Sequence, residues 1–113
     1  MNIFLSPFSS PDQLEIVKRG DVLTINGEIF DFTPMREGDT LPAAAIQSQW
    51  VTRDVEFVDG HLVVTLRFPN PPNASLEQRF PEPLLNVLDG PVAFPPPIPM
   101  AEFLAANEVP TDE

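Results

Sequence analysis

Three dipeptides ending in glycine, Arg19-Gly20, Asn26-Gly27 and Asp59-Gly60, each lie between short runs rich in Val, Ile, Leu and Phe. A two-residue hairpin loop needs positive φ, which glycine adopts without a Cβ clash, so each dipeptide reads as a β-hairpin turn. The first two turns fold residues 14–32 into a three-strand meander. With Arg19-Gly20 as the first loop, Lys18 is expected to face Asp21, Ile16 to face Leu23 and Leu14 to face Ile25. The second loop sets Ile25 against Glu28 and Leu23 against Phe30. Because side chains alternate along a strand, Leu14, Ile16, Leu23, Ile25, Phe30 and Phe32 then share one face. Glu15, Val17, Val22, Thr24, Ile29 and Asp31 share the other.

The third turn repeats this logic over residues 54–68. Val58 is expected opposite His61, Phe57 opposite Leu62 and Val55 opposite Val64, so that Val55, Phe57, Leu62, Val64, Leu66 and Phe68 form a second apolar face. Two such faces invite packing on each other. The expected class is all-β: a small antiparallel β-sandwich or partly open barrel built from meander hairpins, with a Pro-rich acidic C-terminal tail. Ile3 to Leu5 suit a short first strand ended by Pro7 and the Ser9-Ser10-Pro11 cluster. Pro42 followed by Ala43 to Ile46 suits one helical turn or an extended connector. Trp50 begins the second β region, and the run Pro69-Asn70-Pro71-Pro72-Asn73 is expected to end it. Leu76 to Phe80 reads as a short returning edge segment.

Charge divides the chain. Residues 1–81 hold eleven acids and six bases, while residues 82–113 hold six acids and no base. The expected organisation is therefore a β domain over 1–81 and a Pro-rich acidic tail over 82–113. Prolines 83, 91, 95, 96, 97, 99 and 110 favour extended backbone in the tail, and its apolar Leu84, Leu85, Val87, Val92 and Phe94 suit a path along the body. Residues 99–107 can form a short helix with Met100, Phe103 and Leu104 on one side. A net charge of −11 repels phosphate backbones and argues against direct nucleic-acid binding. No run approaches the ~20 apolar residues of a membrane helix, and no basic, apolar leader is evident, so a soluble, unexported protein is expected. The chain has no cysteine, which removes disulfides and thiolate chemistry.

Candidate chemical residues are few. His61 is the sole histidine and adjoins a turn, where a solvent-exposed role explains it without partners. Asp54, Glu56 and Asp59 match no calcium-loop spacing. Arg19-Gly20-Asp21 has the form of an adhesion tripeptide, but the hairpin already explains its glycine. Asn73-Ala74-Ser75 is a glycosylation sequon in form only. Trp50 and the phenylalanines could line a pocket for a small ligand or sugar, but most Phe positions fall on the inward faces, so these aromatics are expected in the core. No catalytic residue, cofactor or metal is expected. Met100, Phe103 and Leu104 are the candidate partner-binding residues, an apolar stripe of the kind that docks in a partner's groove. The same stripe equally suits a terminal helix folded onto its own domain or a neighbouring copy.

The run GDVLTINGEIFDFTP, followed by LPAAAI, Trp50, the Asp59-Gly60 hairpin with LVVTLRFP, then PNA, RFPEP and DGPVAFP, resembles a group of small proteins of tailed bacteriophages and prophages. The similarity spans about Asp21 to Pro95. Members are usually encoded among tail genes, so the resemblance implies a virion or tail-assembly role in the bacterial host cytoplasm or in the virion, with another phage tail or assembly protein as partner. It carries no catalytic residues. A homo-oligomer is compatible with the unpaired sheet edges. The alternatives from other classes are an acidic inhibitor that mimics nucleic acid and blocks a host DNA-binding protein, and a small-ligand-binding β domain.

Overall fold

The computed structural model describes residues 1–106. In chain order it contains β1 (Asn2–Ser9), β2 (Ile16–Arg19), β3 (Val22–Ile25), β4 (Glu28–Asp31), β5 (Thr40–Leu41), α1 (Ala43–Ile46), β6 (Val55–Val58), β7 (His61–Asn70), α2 (Leu76–Arg79), β8 (Gly90–Pro91) and α3 (Met100–Ala106). The described chain is mostly β, with three short helices. Its strands form two separate sheets of order β1-β7-β6-β5 and β4-β3-β2-β8, and no barrel closes. Ile16, Leu23, Ile25, Phe30 and Phe32 from one sheet share a buried core with Ile3, Val55, Leu62, Val64 and Leu66 from the other. The expected sorting of inner and outer residues holds in both hairpin units, although Leu14 and Phe57 are only half-buried.

Two of the three turns form where expected. Asn26 and Gly27 both take positive φ, as do Asp59 and Gly60, the pattern of a two-residue type I′ loop. Their strands keep the anticipated registers, with Leu23 facing Phe30 and Phe57 facing Leu62. The first turn is different. Ile16 pairs with Ile25 and Lys18 with Leu23, so the loop is Gly20-Asp21 rather than Arg19-Gly20. Gly20 alone takes positive φ there, which suits glycine at the first loop position of a II′ turn. The slip equals two residues, so every side chain keeps its face. Lys18 accordingly does not face Asp21. It lies on the inner face, and its Nζ donates to Asp89 Oδ1 at 2.7 Å.

The expectation of purely antiparallel sheets is corrected by β1, which pairs parallel with β7 over its whole length, from Asn2 opposite Val63 to Ser9 opposite Asn70. Pro7 and Pro69 do not end these strands as expected. The backbone of Ile3 bonds outward to Leu84, so Pro7, of the same parity, turns its missing N–H away from β7. Arg67 N donates to Trp50 O on the opposite side of β7. Pro69 has the parity of Arg67, and its absent donor faces beyond the end of the Trp50 segment.

Residues 76–80 are not an edge segment. Ser75 caps α2: its Oγ accepts from Gln78 N at 3.2 Å, and Gln78 Oε1 accepts from Ser75 N at 3.0 Å. This reciprocal capping box satisfies donors that a helix start otherwise leaves open. Pro42 does precede the one-turn α1, in the N-cap position.

Residues 84–92 stitch the two sheets along one side. Leu84 exchanges two 2.8 Å backbone bonds with Ile3 at the edge of the first sheet, and Val87 N donates to Met1 O. β8 then pairs with Val17 and Lys18 at the edge of the second sheet. Asp89 fixes the crossing, because its Oδ1 accepts from Gly20 N at 2.9 Å as well as from Lys18. Further on, Asn73 Nδ2 donates to Ile98 O at 2.7 Å while Ile98 N donates to Asn73 O at 2.9 Å. This double bond ties the proline run to the loop before α2.

Candidate functional site

The residues singled out for partner binding lie on α3, which follows the Asn73–Ile98 latch. Met100 and Leu104 stand one helical turn apart and are 53% and 60% exposed, while Phe103 beside them is half-buried. Phe103 N donates to Pro99 O at 3.0 Å. Spacing of three and four residues places the three side chains on one side of the helix. Asn107, the last residue of the expected helix 99–107, lies outside the described residues.

The other motif-bearing residues have structural surroundings. Asp54 Oδ1 accepts from Ala43 N at 2.9 Å at the start of α1. Gly60 N donates to Glu37 Oε1 at 3.1 Å, tying the third turn to the loop before β5. His61 is half-buried beside that turn. Among the described residues, no three of His, Asp and Glu converge as a metal site. Trp50, Phe30, Phe32 and Phe68 are buried as expected, whereas Phe4 and Phe80 are exposed rather than in the core.

Two carboxyls are held below the ordinary carboxylate range, Asp31 by hydrogen bonds from Thr33 and Asp89 by hydrogen bonds from Lys18 and then Gly20. Both serve turns and strand edges. A carboxyl acting as a general acid at neutral pH needs a shift in the opposite direction, produced by burial.

Two clefts accompany these features. One, of about 500 Å³, opens between residues 11–15 and the tilted Phe68–Phe94 ring pair, whose centroids are 5.4 Å apart. The other, of about 510 Å³, lies over α2 and is the more apolar, with Leu76, Phe80, Leu84 and Pro95 on its walls. Sequence reading missed the second because it treated 76–80 as extended. The signal was present: Ser75-Leu76-Glu77-Gln78 has the S-x-x-Q form of a capping box, which starts a helix and carries Leu76 and Phe80 on one side of it.

No helix among the described residues is long and apolar enough to cross a membrane. Comparisons of the chain with protein-family models, with curated proteins and with solved structures find no match.

Proposed function

We propose that this chain is a non-enzymatic interaction protein of a tailed phage or prophage, a β-sandwich body that offers an apolar helical stripe to another tail or assembly protein in the host cytoplasm or the virion. The observation that carries the reading is the exposure of Met100 and Leu104 on a helix joined to the body through the Ile98 latch. Large apolar side chains left in water at such a position are explained by a partner that covers them. The phage assignment rests on the resemblance running from Asp21 to Pro95, and the missing counterpart is a protein with an apolar groove.

The experiment is affinity purification of the tagged chain from induced lysogenic cells, followed by identification of what co-purifies. Recovery of a phage tail or assembly protein is expected. Replacing Met100, Phe103 and Leu104 with Ser should reduce that recovery about tenfold, the scale of losing a small apolar hot spot. Recovery of host proteins alone, or undiminished recovery by the variant, contradicts the proposal.

A further inference from the structure

Beyond the α3 stripe, we infer a second docking surface: the cleft over α2 receives a basic partner segment, an apolar anchor flanked by Lys or Arg. The inference rests on the chain being an interaction protein but not on α3 being its contact.

The cleft is open and apolar. Leu76 and Phe80, four residues apart on and just after α2, are 66% and 73% exposed, and both line it opposite Pro83, Leu84 and Pro95. Such a patch in water marks a contact surface when its walls hold their positions without the partner. Each wall here is tied down separately. The Ser75–Gln78 capping box fixes α2, and Asn70 Nδ2 donates to Gln78 O at 3.0 Å beneath it. Leu84 is held by its two bonds to Ile3, and the proline run carrying Pro95 is held at Ile98 by Asn73.

Charge decides the occupant. Glu77 and Glu82 are the charged residues on the cleft lining, with no base beside them. Arg79, the base nearest in sequence, turns back so that its guanidinium donates to Ala74 O at 3.4 Å. The α3 stripe of a second copy would bring Glu102 to this acidic rim, and residues 107–113 would bring Glu108, Asp112 and Glu113. Both meet like charge, whereas Lys or Arg beside an apolar anchor meets opposite charge.

The test uses the full chain and two fluorescein-labelled probes, a Leu-Trp-Leu peptide flanked by lysines and the same peptide flanked by glutamates, with binding read by fluorescence anisotropy. The lysine probe should bind and the glutamate probe should not. Leu76→Ser with Phe80→Ser should weaken binding about tenfold, with far-UV circular dichroism unchanged because both side chains are exposed. Glu77→Lys with Glu82→Lys should reverse the preference between probes, while Glu28→Lys with Glu56→Lys, away from the cleft, should leave it in place. Replacing Met100, Phe103 and Leu104 with Ser should leave probe binding intact. Equal loss of lysine-probe binding from either pair of charge reversals would reduce it to general attraction by an acidic protein and overturn the inference. Loss in the α3 variant, or self-association abolished by Phe80→Ser without any probe preference, would also overturn it.

Discussion

Lys18 illustrates what single residues contribute here. Displacing the first turn by one position along each strand moved its partner from Asp21 to Asp89, seventy-one residues away, yet left the inner and outer sets unchanged. Period-two alternation is insensitive to a slip of two, so the faces were legible in the sequence while the pairing was not. Lys18 is 11% exposed at its side chain and Asp89 66%. Removing Asp89 therefore strands a nearly buried ammonium, whereas replacing Lys18 by Met removes the charge and keeps the stem's packing. Asp89→Ala should lower the melting temperature by several degrees at neutral pH, and Lys18→Met should change it little. Since hydrogen bonds hold the Asp89 carboxyl below its ordinary value, its stabilising contribution is present above that value and is lost as pH falls through the folded-state value. The melting-temperature gap between wild type and Asp89→Ala should thus narrow below about pH 4. Gly20 is a second case. A Cβ there would meet nothing within 4 Å, but its φ is +58°, so Gly20→Ala should cost about 1–2 kcal/mol from backbone strain alone, measured by urea unfolding.

At the level of elements, the hairpins around Asn26-Gly27 and Asp59-Gly60 could be read because local turn chemistry and alternation agreed. Elements set by distant partners could not. Pro7 and Pro69 look like strand stops in isolation and become acceptable only through the sides on which β1 and β7 are paired. The parallel partnership of β1 with β7 has no short-range signature at all. α2 has one in its capping box, but Leu76 and Phe80 fit either an extended or a helical spacing, and the cap alone separates the two. Ser75→Ala should therefore destabilise the chain by about 1 kcal/mol, and it should loosen the cleft wall, seen as faster amide exchange at Gln78. In the core, Leu66 is fully buried among inner residues of both sheets; Leu66→Ala should cost about 2–5 kcal/mol by chemical denaturation.

Across the whole molecule, the acidic and proline-rich composition after residue 81 suggested a different kind of polymer, and its apolar residues suggested contact with the body. The path itself depends on groups far apart in sequence: Ile3 with Leu84, Lys18 with Asp89 and Gly90, and Asn73 with Ile98. The first two groups join edges of both sheets and the third ties the proline run to the loop before α2, so residues 84–98 should stabilise the folded body while residues 100–113 should serve contacts outside it. The Met100, Phe103 and Leu104 stripe was legible as a helical spacing, whereas the α2 cleft required the tertiary positions of Leu84 and Pro95. The most direct measurement is thermal unfolding, followed by circular dichroism, of the full chain beside forms ending at Ile98 and at Pro81. The form ending at Ile98 should melt cooperatively within a few degrees of the full chain, and the form ending at Pro81 should lose its cooperative transition or melt far lower. Equal melting of all three would contradict the account, since the strand-edge bonds of residues 84–98 would then contribute nothing to the fold.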